Sequence, residues 1–188
     1  LRGDLNAETS IGLHYLQEIP VNNEFAGAVS NWEARGDFHG TLDLNVPLDF
    51  ANSAAEIRLD LSLENNSLTI PDYSLIFDNL SGPLVYDTGT GLERTQLSGK
   101  LFNQEINLSL DSESSGDRIQ RIFVSVEGKA SKEQLAEWPK QSSFVRSILK
   151  RVEGDLPYSA DLILNQSEDQ TPHSLKISSN LLGVSVDL

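Results

Sequence analysis

The sequence contains no cysteine and no methionine. Without cysteine there are no disulfide staples and no thiolate metal sites. Leu1 stands where an initiator would, so the chain reads as an internal segment of a longer protein. No stretch has the charged and apolar regions of a secretion signal. No apolar run approaches the roughly 18 residues that cross a bilayer. Cations are scarce: 14 Lys and Arg stand against 28 Asp and Glu, for a formal net charge of −14 over 188 residues. Phosphate binding needs clustered cations, so nucleic acid is not expected as a partner. The acidic excess suits a solvated surface that resists self-association.

The motifs of catalysis are missing too. There is no Gly-x-Ser-x-Gly elbow, no His-Glu-x-x-His, no P-loop and no Gly-x-Gly-x-x-Gly. His14, His39 and His173 are far apart and lack ligand-spaced partners. Asp111 to Asp117 has a loose calcium-loop look, but Ile122 stands where the bidentate Glu belongs, so a polar hairpin loop is expected instead. Acid pairs such as Asp60 with Glu64 read as a solvated strand face. Arg2-Gly3-Asp4 and Arg35-Gly36-Asp37 read as strand or turn glycines, not adhesion motifs. Asn65, Asn79, Asn107 and Asn165 open Asn-x-Ser tripeptides that matter only in a secreted eukaryotic chain. The expectation is a protein that is not an enzyme, with no catalytic residues, no cofactor and no metal.

What the sequence does contain is period-2 alternation. Leu42, Leu44, Val46 and Leu48 alternate with polar neighbours, and so do Ile57, Leu59, Leu61 and Leu63. The same rule covers Ile106, Leu108 and Leu110; Ile122, Val124 and Val126; Tyr158, Ala160, Leu162 and Leu164; Leu175 and Ile177; and Val184, Val186 and Leu188. Each reads as a strand with one apolar and one polar face, as in antiparallel sheets solvated on one side. Pro47 belongs at a strand end or edge. Polar stretches at Glu64–Ser67, Asp87–Gly91 and Asp111–Asp117 read as hairpin turns. Glycine recurs between apolar residues, as in Leu80-Ser81-Gly82-Pro83-Leu84 and Leu97-Ser98-Gly99-Lys100-Leu101. A glycine on the apolar face permits a bend or close approach, so a series of such strands would let the sheet curl.

Two short helices interrupt the strands, within a helical insertion over residues 131–152. Ser131 and Gln134 have capping-box spacing at the start of a helix over 131–138, which Pro139 stops. A second helix over 142–152 carries Phe144, Val145, Ile148, Leu149 and Val152 at helical spacing. Gly154 is placed to end it, and Arg146, Lys150 and Arg151 suit its C-terminal dipole. Phe144, Ile148 and Leu149 are expected to pack on the sheet. A lid or docking surface is the other reading of this stripe.

The run Leu80-Ser81-Gly82-Pro83-Leu84-Val85-Tyr86-Asp87-Thr88-Gly89-Thr90-Gly91-Leu92, then Leu97-Ser98-Gly99-Lys100-Leu101-Phe102-Asn103-Gln104, resembles the AsmA-like proteins of the YhdP type. So do the stretch from Val126 to Pro139, Ile148-Leu149-Lys150-Arg151-Val152-Glu153-Gly154, and the stretch from Leu175 to Gly183. The resemblance covers roughly residues 25 to 188 and rests on the order of short motifs. It implies a protein anchored in the inner membrane of Gram-negative bacteria and extended through the periplasm. It also implies kinship with the repeating β-groove lipid-transfer proteins, TamB among them, whose long sheet folds into a gutter with an apolar interior. The implied partners are phospholipid acyl chains and the remaining segments of the same parent chain.

The residues themselves point the same way, less specifically. A one-sided apolar sheet must cover its apolar face, and a bound acyl chain would do so at about 0.8 kcal/mol per methylene. The expected fold is mainly β: one long antiparallel sheet over residues 1–188, curled into an open apolar groove in the manner of a taco. The expected lining is Leu42, Leu44, Val46, Ile57, Leu59, Leu61, Leu63, Leu108, Val124, Val126 and Leu162. The expected function is a segment of a periplasmic lipid conduit. The alternative is an extracellular β-sandwich that serves adhesion or binds carbohydrate.

Overall fold

The computed structural model describes residues 1–18, 29–47, 55–115, 118–165, 173–180 and 185–186. Its strands are β1 (Arg2–Glu8), β2 (Glu33–Asn45), β3 (Glu56–Ile70), β4 (Leu75–Asp87), β5 (Gly91–Leu92), β6 (Thr95–Leu101), β7 (Gln104–Ser115), β8 (Arg118–Ser131), β9 (Val152–Glu153), β10 (Asp155–Asn165), β11 (Ser174–Ser178) and β12 (Ser185–Val186). Ten of them form one antiparallel sheet in the order β1-β2-β3-β4-β6-β7-β8-β10-β11, with the short β5 paired to β4. The sheet does not close into a barrel; β1 and β11 are its two ends. The remaining pair, β9 and β12, makes a two-stranded ribbon. Val46 lies just past the end of β2, and Leu48, Val184 and Leu188 lie outside the described residues.

The alternation of β3 slips within the strand. Its apolar residues are odd-numbered up to Leu63 and even-numbered at Leu68 and Ile70. Asn65 absorbs the difference as a bulge, in the left-handed region at φ 54°. Asn79, at φ 53°, does the same in β4 between Phe77 and Leu80. Asparagine tolerates this conformation better than other residues with a side chain. The Glu64–Ser67 stretch therefore lies inside one strand and is not the hairpin turn its composition suggested, because a turn and a bulge ask for the same left-handed backbone. Ser81 ties the two bulges together: its hydroxyl donates to the Asn79 carbonyl at 3.3 Å and accepts from the Asn65 N–H at 2.9 Å.

A third irregularity lies alongside in β2, between Arg35 and Asp37. Gly36, at φ 104°, leaves the room that the Asn66 side chain fills; a Cβ there would sit 2.5 Å from Asn66 Oδ1. Asn66 is 1% exposed, donates to the carbonyls of Asp37 (3.0 Å) and Glu64 (3.3 Å), and accepts from the Thr9 hydroxyl. A buried amide must be satisfied in this way. Three neighbouring strands thus break their ladders along one line across the sheet.

One face of the sheet is apolar throughout. Phe77, Leu80, Leu97, Leu101, Ile106, Leu108 and Val126 form its buried cluster, with Ile70 at one end. A flat single sheet would leave its mid-strand residues in water. Leu97 and Leu108 are nevertheless 5% exposed, so the sheet curls and the apolar face covers itself. At Gly40 the backbones come so close that a Cβ would lie 2.1 Å from the Asp60 carbonyl oxygen.

Among the described residues three short α-helices accompany the sheet: α1 (Thr9–Glu18), α2 (Lys132–Glu137) and α3 (Ser143–Leu149). The expected capping box opens α2: the Ser131 hydroxyl accepts from the Gln134 N–H at 3.3 Å, and Gln134 Oε1 accepts from the Ser131 N–H at 2.9 Å. Ser142 caps α3. α3 ends at Leu149, earlier than its stripe implied, because Val152 is drawn into β9 opposite Val186. Gly154 follows that ribbon and does not close the helix. α1 has no counterpart in the alternation; it packs beside β2, and Gln17 Nε2 donates to the carbonyls of Val29 (2.9 Å) and Trp32 (3.1 Å).

The bulge pair yields a first prediction. Ser81→Ala removes both hydrogen bonds that lock Asn65 and Asn79, and should lower stability by about 1–2 kcal/mol in urea unfolding. Ser98→Ala, directly opposite Ser81 in β6 and exposed, should stay within about 0.5 kcal/mol of the parent. Equal effects would remove the lock from the account.

Candidate functional site

Residues directly opposite in an antiparallel pair share a face, so the register defines the apolar face without further assumption. Leu42 pairs with Leu59 and Leu44 with Ile57; Leu59 then pairs with Tyr86 and Leu61 with Leu84. Past the bulges the row continues from Leu97 to Leu108 and on to Val126 and Ala160, with Leu110, Val124 and Leu162 beside it. It ends at the last strand, where Leu162 meets Leu175 and Ala160 meets Ile177.

Burial divides this face into two parts. Leu108 and Val126 belong to the buried cluster, with Val124 half-buried against it. Leu42, Leu44, Ile57, Leu59, Leu61 and Leu63 are half-buried, in a continuous aliphatic band on β2 and β3 that water still reaches. Leu162 is also half-buried, and Leu175 and Ile177 beyond it are 48% and 58% exposed. Val46, past the strand end, is 45% exposed. The apolar face is thus closed in the middle of the sheet and open toward both of its ends. The sequence reading did not assign Phe38, Leu84 or Tyr86 to it, although pairing puts all three there. The signal for Leu84 and Tyr86 was the alternation of Leu80, Gly82, Leu84 and Tyr86 in β4, and that for Phe38 the alternation of Phe38, Gly40, Leu42 and Leu44 in β2.

The helical segment after β8 runs back along one rim of the sheet. Gln134 Nε2 donates to the Phe102 carbonyl in the β6–β7 turn. Trp138 meets the Phe102 ring edge-on, with centroids 6.3 Å apart, and its Nε1 donates to the Tyr73 carbonyl at 2.7 Å. Tyr73 lies in the β3–β4 connection, so the segment spans the ends of β7, β6 and β4 like a strap. α3 follows it. Of Phe144, Ile148 and Leu149, only Leu149 is buried, at 4% exposure; Phe144 is 71% exposed and Ile148 43%. The expectation that all three pack on the sheet is corrected here: Leu149 is the one residue of α3 that is buried, and its other side chains are exposed.

The opposite face is polar. Arg58 lies there between Asp43 and Asp87 in the register and binds Glu93 (2.7 Å) and Asp60 (3.0 Å). Its pKa is raised by the hydrogen bond to Glu93, then by that to Asp60. A depression of about 600 Å³ on this face is lined by Lys100, Glu105, Asn107, Glu127 and Lys129, among others. His39 lies 3.8 Å from Glu64, and His173 Nδ1 accepts from the Asn165 N–H at 3.2 Å. Among the described residues no three His, Asp or Glu side chains come together as a metal ion requires, and no helix is long and apolar enough to cross a membrane.

A one-sided, curled and open antiparallel sheet agrees with what comparison with known proteins finds. The model of the YhdP protein family matches residues 1–188. The chain belongs to the YhdP family. A relative in Escherichia coli (strain K12), the intermembrane phospholipid transporter YhdP, is 24% identical over 155 residues. That alignment covers 80% of this chain and 12% of the relative, so the chain spans a small part of the relative's length. No solved structure matches it.

A polar group without a partner sits among the apolar ones. Tyr158, on β10, projects from the apolar face next to Gly128, where a Cβ would come within 3.0 Å of its hydroxyl. That hydroxyl is buried without a hydrogen-bond partner. Burial disfavours the phenolate and pushes the pKa from 10.0 up to about 12. The unfolded chain therefore releases this proton first, so folding stability is complete below pH 10 and declines as pH rises toward 12. Absorbance titration of the phenolate should show one tyrosine with a midpoint near 12. The urea midpoint should fall above pH 10 in the parent and fall less in Tyr158→Phe. Parallel curves for the two would contradict the burial of this hydroxyl.

Proposed function

We propose that this chain is a segment of a periplasmic conduit that carries phospholipid between the inner and outer membranes, and that it performs no chemistry. Acyl chains lie against the apolar face while head groups stay in water. The observation that carries the reading is the continuity of that face. One apolar row crosses the sheet from β1 to β11 in register, and it is most accessible toward the two ends. The Leu42, Leu44, Ile57, Leu59, Leu61 and Leu63 band is the lining of the groove on one side of the buried cluster, with Leu162 on the other. Aliphatic side chains bind methylenes without selecting a head group, at about 0.8 kcal/mol for each one buried. Many near-equivalent positions in a row let a chain slide with small barriers.

The remaining segments of the same parent chain are the partners at the two ends. β1 and β11 each have one paired neighbour in the sheet, and a free strand edge is a template for another strand. Added strands would prolong the groove in both directions within a protein anchored in the inner membrane. A β-sandwich for adhesion or carbohydrate binding needs two large facing sheets, whereas the described residues build one ten-stranded sheet and a two-stranded ribbon.

Photo-crosslinking tests the groove without disturbing its packing. A photoreactive residue placed singly at Leu59, Leu61 or Leu63 should label phospholipid acyl chains during purification from a Gram-negative host. The same residue at Asp60, Ser62 or Glu64 should label at least about tenfold less, since alternate residues of a strand face opposite sides. Labelling of both sets alike, or of neither, would overturn the proposal.

A further inference from the structure

We propose that the strap and α3 form a docking site for the surface of an anionic lipid bilayer. From Trp138 to Val152 there are 15 residues with no acid and four cations, Lys140, Arg146, Lys150 and Arg151. This is a local charge of +4 on a chain whose net charge is −14. Among the described residues the ion pairs belong to His39, Arg58 and Arg121, and none of these four cations takes part in one. All four are exposed.

Among the described residues, the same short segment carries the most exposed large apolar side chain outside the N-terminal residue: Phe144 is 71% exposed. Ile148, one helical turn on, is 43% exposed and Val145 is 36% exposed. Trp138 stands at the start of the same segment, and its hydrogen bond to the Tyr73 carbonyl brings in a further aromatic residue that is 50% exposed. Apolar and aromatic residues flanked by unpaired cations are what a peripheral helix needs to sink partway into a head-group layer. The charge selects the occupant. A second copy of this acidic chain would be attracted to the four cations alone and repelled elsewhere, whereas an anionic bilayer presents a uniform negative surface at the scale of the patch. The proposal does not depend on the groove carrying lipid, because the patch lies on the outward side of α3 and none of the groove-lining leucines belongs to it.

Vesicle co-sedimentation of the 188-residue chain tests it, with phosphatidylcholine vesicles against vesicles containing about one-third phosphatidylglycerol. Binding to the anionic vesicles should be at least about tenfold tighter and should fall at high salt. Phe144→Ser with Ile148→Ser should lower it about tenfold, and replacing the four cations by Gln should bring it to the phosphatidylcholine level. Ser98→Ala, exposed on the polar face, should leave it unchanged. Far-UV circular dichroism should stay as in the parent for the α3 variants, since the substituted side chains are exposed. Equal binding to the two vesicles, no binding, or anionic binding unaffected by both sets of α3 substitutions would overturn the proposal. So would size-exclusion chromatography showing a dimer that Phe144→Ser with Ile148→Ser dissociates. Loss of acyl-chain crosslinking with vesicle binding intact would count against the groove and leave this site standing.

Discussion

Every strand must turn the same side of its backbone to the apolar face, and a slip of one residue would expose all that follows. This constraint is met over strands of up to 15 residues whose sequences do not alternate perfectly. The sheet resolves the conflict with single extra residues. Asn65 and Asn79 each take a left-handed conformation, and the apolar residues on either side return to the same face. Ser81 and Asn66 hold these irregularities in place, the first by bridging both bulges and the second by filling the space that Gly36 leaves. The polar atoms used here serve the apolar face, since without them its two halves would not line up.

Given that register, the rest of the architecture follows from covering the face unevenly. In the middle the sheet covers itself and Leu97, Leu101, Leu108 and Val126 are out of water. On β2 and β3 the band from Leu42 to Leu63 is left half-covered. At one rim the strap crosses several strand ends, pinned by Gln134 and Trp138, while α3 beyond it rests on a single buried leucine. A rigid middle, an accessible band and a loosely held helix are three different degrees of burial within one sheet.

Much of this was legible in the alternation. Ile57 to Leu63, Leu108, Val124, Val126 and Leu162 could be assigned to one face because period 2 is a local property of the chain. The capping box at Ser131 was equally local. The bulges were not legible, since Glu64-Asn65-Asn66-Ser67 has the composition of a turn and only pairing with β2 and β4 shows that the strand continues. The end of α3 was hidden for a related reason: Val152 fits the helical stripe, but it pairs with Val186, more than thirty residues on. The stripe also could not say which of its members would be covered. It put Phe144 and Leu149 together, and the strap turned one outward and the other in. α1 was missed because Gly12 weakens its helical pattern; in the fold that glycine sits 3.5 Å, measured from where its Cβ would be, from the Phe38 ring.

The strand order has a mechanical meaning. Along the main path each strand bonds to the strands that flank it in the sequence, apart from the small excursions of β5 and β9. A pull applied between the two ends of such a meander loads its hydrogen bonds one after another, as a zipper is opened, and not all at once in shear. Each strand peeled away adds about 3.3–3.6 Å of length per residue, and the strands left behind still have their own partners. Tension would therefore shorten the sheet from its ends and leave the buried middle to yield last. Release would let each strand find the neighbour beside it in the sequence, with little search.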